Sequence, residues 1–405
     1  MAESTEKPKN QLKPWNDTDE MFLYTMREDG IPYRDISTEL HRSVRACERK
    51  YQTTDWEAKG VYDPVKGRMK ERLKRSFTEK VVQAQEKRQN LKNMIGDIIA
   101  DRIAQAVKAL PVVQKTIYQK KPYKSNKKHS DEDVGLIISD AHIGHHHSLE
   151  ETGGISKYDV NVFKERMGNL KCALRDIVEL HSKLYHLPVL HIFSLGDVVA
   201  GMNNVGAWSP TYINLPIYDQ VMIGADAIAD AIYYWLGLFD EIKFYGLVGN
   251  HGRCSQLGSE KEYVNWDLIC YKFLEARFKD NPRVSFDIPL NWFIMKEIRK
   301  HKFLMVHGDS IRGSNPLSKL VSLEEKMTGI LKEMPDYTLA AHFHCPAEQT
   351  TNHGRVIING SFIGSDLYSL KDLKSGVKPE QKVFGIHDKQ GITWSYNLNL
   401  TIPRF

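Results

Sequence analysis

Seven side chains that can bind metal follow five apolar segments in the last two thirds of this 405-residue chain. They are Asp140, His142, Asp197, Asn250, His307, His342 and His344, with His251 directly after Asn250. Taken singly, each has an ordinary structural interpretation, because loop histidines usually form hydrogen bonds, and Gly-Asp and Gly-Asn are common in turns. Five independent segments ending in such residues indicate one shared site.

Oxygen and imidazole ligands without thiolate suit manganese, iron or zinc. Seven ligands are too many for one tetrahedral ion, but they are enough for two ions that share a carboxylate. Two ions about 3.5 to 4 Å apart clamp a phosphoryl group and generate a hydroxide nucleophile near neutral pH. The residues therefore predict phosphoester hydrolysis with two divalent metal ions, manganese foremost and iron, zinc or magnesium as alternatives.

The segments that would position these residues read as strands of an α/β domain. Strands are predicted to begin near residues 134, 189, 243, 301, 337, 355 and 382. Helical patterns lie between them, near residues 160–185, 217–239, 260–280 and 316–333. An α/β sheet places its site outside the carboxyl ends of its strands, which is where the metal-binding side chains fall.

The ordered motifs Asp-x-His, Gly-Asp, Gly-Asn-His, His and Ala-His-x-His across residues 134–344 resemble the calcineurin-like metallophosphoesterases. The resemblance implies a four-layer sandwich of two mixed sheets flanked by helices. It also implies the role of each residue. Asp140, His142 and His344 would hold the first metal, Asn250, His307 and His342 the second, Asp197 would bridge them, and His251 would be the general acid.

Within this superfamily, the opening Ser-Asp-Ala-His-Ile-Gly resembles SbcD-like DNA repair nucleases, which often dimerise and work with an ATPase partner. After Asp197 the chain reads Val-Val-Ala-Gly, whereas Ser/Thr protein phosphatases have Val-Asp-Arg-Gly. The arginine that grips phosphate in those phosphatases is therefore missing, and protein phosphatase activity is disfavoured.

Two departures from the family pattern bear on the site. The family usually follows Gly-Asn-His with Asp or Glu, whereas Gly252 and Arg253 follow here. The carboxylate that orients His251 would then come from elsewhere, with Asp309 as a candidate, or be absent. Arg253 either contacts a substrate phosphate or forms a surface salt bridge. The triplet His145-His146-His147 is expected to be solvent-exposed, although it could also rim the site.

The loop that begins at Gly201 is predicted to shape the substrate entrance, with Asn203 as a substrate-binding residue.

Residues 15–56 read as three short helices, near 17–28, 33–39 and 43–52, with Asp17 and Ser43 as caps. Arg42, Arg45, Arg49 and Lys50 lie on or near the third helix, where they could neutralise DNA phosphates. The stretch GIPYRDISTELHRSVRACERKY also resembles Myb-like/SANT-type DNA-binding domains. Such domains also bind proteins, so a protein partner is the alternative to DNA for this region.

The length suggests several domains. We expect a disordered N-terminus (1–14), a helix-turn-helix (15–56), a basic helical spacer with a linker (57–130) and the metallophosphoesterase domain (131–405). Residues 1–130 hold 28 Lys and Arg against 18 Asp and Glu, and the remainder holds 28 against 33. This basic N-terminal region favours an anionic binding partner such as DNA.

The five cysteines are widely spaced and form no CxxC pair. They favour a reducing compartment, and no signal peptide or membrane span is predicted. We therefore expect a cytoplasmic protein.

The leading hypothesis is a DNA-acting metallophosphodiesterase, a nuclease, which could form a homo-oligomer. One alternative is a phosphomonoesterase or small-nucleotide phosphodiesterase whose N-terminal region binds protein. Another is an inactive DNA-binding assembly protein, and the intact set of metal-binding residues argues against it.

Overall fold

The structure, a computed structural model, describes residues 14–56, 59, 130–202, 212–255, 261, 263–311, 315–366, 370 and 376–403. Contacts divide the chain into two units, with the boundary between Ala106 and Val107. The expected disordered N-terminus, the spacer and Asn203 lie outside the described residues, apart from Pro14, Lys59 and Ser130.

In the part of the chain that the structure describes, no helix is long and apolar enough to cross a membrane.

The first unit contains the three predicted helices, α1 (Asp17–Glu28), α2 (Tyr33–Glu39) and α3 (Val44–Thr53). They pack around a small core of buried residues, namely Leu23, Met26, Ile36 and Cys47. Ser43 caps α3 by accepting a hydrogen bond from the main chain of Ala46. The prediction of Asp17 as the cap of α1 is wrong. Asn16 is the cap, because its side chain accepts from the main chain of Asp19.

The second unit alternates strands with helices, as predicted. Its described helices are α4 (Val160–His181), α5 (Ile217–Trp235), α6 (Trp266–Phe278) and α7 (Pro316–Leu331). Its described strands are β1 (Ser130–Ile138), β2 (Tyr185–His186), β3 (Val189–Ser194), β4 (Glu241–Gly246), β5 (Val284–Asp287), β6 (Phe293–Ile298), β7 (His301–Val306), β8 (Tyr337–Ala340), β9 (Ala347–Thr350), β10 (Arg355–Ile358), β11 (Glu380–His387) and β12 (Gly391–Asn399).

These strands form two mixed sheets. The first has the order β12-β11-β1-β3-β4-β5, with β2 also pairing with β1. In it β1, β3, β4 and β5 are parallel, and β11 and β12 are antiparallel additions. The second sheet has the order β6-β7-β8-β10-β9, with a parallel centre and antiparallel edges.

The two sheets pack face to face through one apolar core. Phe193 of β3 lies at its centre and is fully buried. Its ring stacks on Phe303 of β7 and Phe384 of β11, with both centroid separations 5.9 Å. On the outer faces, α7 packs against the second sheet, and Tyr271 of α6 packs edge-on against Phe244 of β4. The expected four-layer arrangement of helices and two mixed sheets is therefore confirmed.

Candidate metal centre

The loops after β1 and β8 bring together the first predicted set of ligands. The Nε2 atoms of His142 and His344 lie 3.0 Å apart. Oδ1 of Asp140 lies 3.9 Å from the first of these atoms and 3.5 Å from the second. Asp140 and His142 are fully buried. One carboxylate oxygen and two ring nitrogens therefore converge on a common point.

The loops after β3, β4 and β7 bring together the second set. Nε2 of His307 lies 3.1 Å from Oδ2 of Asp197 and 3.1 Å from Oδ1 of Asn250. The ligand atoms of Asp197, His307 and His342 lie within 4.8 Å of one another, and so do those of His142, Asp197 and His251. Asp197 thus lies between the two sets.

This donor set fits a pair of divalent cations, because its oxygen and imidazole ligands suit manganese, iron or zinc. The facing ring nitrogens of His142 and His344 can share only one proton, and Nε2 of His307 faces two oxygen acceptors. Burial alone would lower the pKa of His307, but the charge of Asp197 raises it to about 10. The geometry thus favours positive charge between these groups, which a divalent cation would supply.

Five of the seven predicted ligands have a left-handed backbone, which is uncommon for residues other than glycine. Their φ angles are 53° at Asp140, 43° at His142, 54° at Asp197, 69° at His342 and 59° at His344. Such conformations cost free energy and persist where the surrounding structure holds them, commonly at functional sites. The loops therefore aim these side chains at some cost to stability.

Glycines allow the loops after β3 and β4 to approach each other closely. A Cβ atom at Gly196 would lie 2.4 Å from the main-chain nitrogen of Gly249, and Gly196 also has a φ of +91°. A Cβ atom at Gly249 would lie 2.1 Å from Oδ1 of Asp197. The glycines of the Gly-Asp and Gly-Asn-His motifs are therefore required by packing within the site.

Hydrogen bonds from outside the ligand set fix the orientation of two ligands. Nδ1 of His307 lies 2.7 Å from the carbonyl oxygen of Leu195, so that nitrogen carries the proton and Nε2 points into the site. Oδ2 of Asp140 accepts from the hydroxyl of Ser139 at 2.7 Å. That hydroxyl accepts in turn from the side-chain amide of Asn359 at 2.8 Å.

A buried carboxylate absent from the predicted set also supports the site. Asp267, in the first turn of α6, is fully buried and accepts from the main-chain nitrogens of Asp197 and Gly249. Burial, followed by the charge of Asp197, raises the pKa of Asp267 to about 6. In the sequence, Asn265-Trp266-Asp267 reads only as an ordinary helix start, so no local signal pointed to it.

His251 lies against the first set of ligands. Its ring packs edge-on against that of His142, with centroids 4.4 Å apart. Its main-chain nitrogen donates to Oδ1 of Asp197 at 2.7 Å. Burial lowers the pKa of His251, and the charge of Asp197 opposes this shift. His251 therefore adjoins both Asp197 and the first set of ligands.

Asp309 is the carboxylate that the sequence suggested for orienting His251. In the structure it forms an ion pair with Arg253. The pair joins the loop after β4 to the loop after β7. The side chain of Arg253 is 21% exposed and that of Asp309 is 28% exposed. Solvent and small anions can therefore reach the guanidinium.

The expected exposure of the histidine triplet is wrong for two of its three members. His145 is 1% exposed and His147 is 2% exposed. The main chain of His147 exchanges two hydrogen bonds with Tyr158, which folds the segment inward. Nε2 of His145 lies 3.2 Å from Nδ1 of His147, and burial lowers the pKa of both rings. His145 and His147 therefore lie in the packed interior, and His146 is half-buried.

In the first unit, the four basic residues predicted to contact DNA differ in their surroundings. Arg42 forms an ion pair with Asp19 at 2.9 Å, and its side chain is only 5% exposed. Lys50 forms an ion pair with Glu20 at 2.7 Å. Arg45 and Arg49 are exposed on α3. The structure thus leaves the exposed pair more accessible to a partner than the other two.

No family model matches the chain, and no curated protein matches it significantly. Solved structures with low similarity include a hypothetical protein from Pyrococcus horikoshii, with 14% identity over 66% of this chain and 88% of the other (TM-score 0.35). Zinc-complexed Vps29 from Entamoeba histolytica has 10% identity over 66% and 99% (TM-score 0.31). A structure described as a novel archaeal phosphodiesterase has 14% identity over 65% and 99% (TM-score 0.28).

Proposed function

We propose that the chain is a metal-dependent phosphoesterase of the calcineurin-like superfamily that hydrolyses phosphodiester bonds in DNA. One observation carries the proposal. Loops from five strands, in two different sheets, bring two carboxylates, four imidazoles and an amide oxygen into two adjoining sets that share Asp197. Two-metal phosphoester hydrolysis requires such an arrangement.

In this proposal, the two sets of side chains would hold two divalent cations, and the chemistry that such cations would supply is polarisation of the phosphoryl group and activation of water near neutral pH. Asp197, which lies near ligand atoms of both sets, would serve as the shared ligand. His251 would donate a proton to the leaving oxygen as the oxygen of water forms its bond to phosphorus and the bond between phosphorus and the leaving oxygen breaks. Arg253 exchanges its contact with Asp309 for a non-bridging oxygen of the substrate.

The choice of DNA as substrate rests on the basic N-terminal region of the chain and on the unit formed by α1, α2 and α3. Arg45 and Arg49 of α3 are exposed and would contact phosphates. Replacing both with Gln should weaken DNA binding and reduce its salt dependence. Arg34→Gln, at an exposed arginine of α2, is the matched control. Hydrolysis of bis(p-nitrophenyl) phosphate should not change in either variant.

The direct test incubates the full chain and Mn²⁺ with end-labelled single- and double-stranded DNA. We expect cleavage, and we expect His251→Ala to lower its rate by about 10²- to 10⁴-fold, the usual contribution of a general acid. His353→Ala, at an exposed loop histidine, should cleave at the wild-type rate. Cleavage by His251→Ala as fast as by wild type would show that the assigned acid is wrong.

A second candidate is a phosphomonoesterase or small-nucleotide phosphodiesterase whose N-terminal unit binds protein. The ion pairs of Arg42 with Asp19 and of Lys50 with Glu20 favour it, because they use two of the four basic residues within the unit itself. Rapid hydrolysis of nucleotides by a protein that leaves polymeric DNA intact would select this candidate.

A further inference from the structure

The first turn of α6 carries a carboxylate that binds two ligand loops at once. Oδ2 of Asp267 accepts from the main-chain nitrogens of Asp197 at 2.8 Å and Gly249 at 3.0 Å. Oδ1 accepts from those of Val198 at 3.1 Å and Val199 at 3.2 Å. One buried side chain therefore joins the loop after β3 to the loop after β4.

We propose that Asp267 is the positioning residue of the metal centre. With Asn265, it replaces in space the carboxylate missing after the Gly-Asn-His motif, but it orients the main chain and not the ring of His251. The proposal rests on the proposed function, because it concerns the same two metal ions. Asp267 would act indirectly on the metal-binding residues, by fixing the main chain that presents Asp197 and Asn250.

The space next to the motif supports this replacement. A Cβ atom on Gly252, where the family has Asp or Glu, would lie 2.1 Å from Oδ1 of Asn265 and 3.2 Å from Cγ of Asp267. The start of α6 therefore fills the volume into which a side chain at position 252 would extend. A carboxylate supplied from the helix and one supplied from position 252 exclude each other.

Asn265 fixes the position of Asp267. Its side-chain oxygen accepts from the main chain of Asp267 at 2.9 Å, and its side-chain amide donates to the carbonyl of Gly249 at 2.7 Å. Asn265 is 3% exposed. The same residue thus caps α6 and holds the loop that carries Asn250.

The number of hydrogen bonds makes Asp267 chemically specific. A carboxylate can accept four hydrogen bonds, whereas a side-chain amide accepts two and donates two. In an Asp267→Asn variant, two of the four main-chain N–H groups would face an NH₂ group. The shape of the side chain is kept, and the electrostatic match is lost.

The test compares the wild-type full chain with Asp267→Asn by titration calorimetry with Mn²⁺ alone. We expect Mn²⁺ affinity to fall about 10- to 100-fold, the usual effect of losing a partner that orients a ligand. Asp219→Asn is the matched control, because Asp219 also lies in the first turn of a helix, α5. Its Mn²⁺ affinity should equal that of wild type, which removes any general effect of the helix dipole.

A second measurement needs no metal. Hydrogen exchange of the metal-free proteins should be faster in Asp267→Asn at the amides of Asp197, Val198, Val199 and Gly249, and unchanged in the core strand β3. If Asp267→Asn does not fold, Asn265→Ser serves instead, because serine can still cap the helix and removes the amide donor to Gly249 without adding a charge.

The outcomes separate the two proposals. Wild-type protein that binds no Mn²⁺ contradicts the proposed function, and the exchange measurement still tests the role of Asp267. Wild-type Mn²⁺ affinity in a folded Asp267→Asn variant overturns the positioning role, even if the variant melts at a lower temperature. Unchanged exchange at the four amides overturns it as well.

Discussion

The Nε2 atoms of His142 and His344 lie 3.0 Å apart, although 202 positions separate the two residues in the chain. One follows a strand of the first sheet and the other follows a strand of the second. The site therefore exists only when both sheets are packed together.

Because the two ring nitrogens share one binding point, His344→Ala should remove the first cation and leave the second set intact. We expect Mn²⁺ stoichiometry to fall from two to one, or affinity at one site to fall by about 100-fold or more, beyond the loss of a supporting partner. Titration calorimetry measures both. His353→Ala, which removes an exposed imidazole, should retain two sites.

Gly249→Ala should disable the centre through packing alone. The new methyl group would lie 2.1 Å from Oδ1 of Asp197 and 2.4 Å from its main-chain nitrogen. We expect the loop to shift, Mn²⁺ binding to be lost, and stability to fall by about 1 to 3 kcal/mol. Gly329→Ala in α7 meets no atom within 4 Å. It should keep Mn²⁺ binding and gain up to about 1 kcal/mol. Equal Mn²⁺ binding by both variants would contradict the assignment.

The surroundings of Asp133 predict how the stability of the folded protein changes at acidic pH. It is 6% exposed, and Oδ1 accepts from Arg299 at 2.8 Å while Oδ2 lies 3.0 Å from Nε2 of His191. Burial would raise its pKa, but the hydrogen bonds from His191 and Arg299 outweigh burial and lower it. A lowered pKa contributes stability above the ordinary value of about 3.9, which is lost as pH falls through the folded-state value.

Asp133→Asn should therefore destabilise the protein by about 1.5 to 3 kcal/mol at pH 7, because the hydrogen bonds to the charged carboxylate are lost while Arg299 keeps its ion pair with Asp388. Below pH 4 the difference from wild type should shrink. Urea unfolding between pH 2.5 and 7 measures this. Asp230→Asn, at an exposed ion pair with Lys171, should change stability little at any pH. A difference that stays constant with pH would refute the linkage.

Phe193 should be one of the residues on which the sandwich most depends, because it is fully buried and stacks on rings from both sheets. We expect Phe193→Ala to lower the free energy of unfolding by about 3 to 5 kcal/mol. Leu184→Ala, at a side chain that is 67% exposed, should cost less than about 0.5 kcal/mol. Denaturant unfolding that gave similar losses for both would contradict this view of the core.

The strands that carry the site were predictable because each is a short buried apolar run that ends in polar residues. The edge strands β9 and β12 were not, since β9 is mostly exposed and β12 mixes Thr, Ser and Asn with its apolar residues. Asp267 escaped prediction for a different reason. Its partners lie up to 70 positions away, so only the folded chain shows what it holds. The inward fold of His147 likewise depends on pairing with Tyr158.

Five predicted ligands have a left-handed backbone, which lowers the stability of the fold while it positions their side chains for metal binding. At His142 or His344, glycine would relieve the backbone and remove the imidazole in one substitution. A laboratory selection for heat resistance alone should therefore enrich replacements at these positions and return sturdier proteins without Mn²⁺ binding. The non-glycine residues at these positions thus give up stability for the geometry of the proposed metal centre.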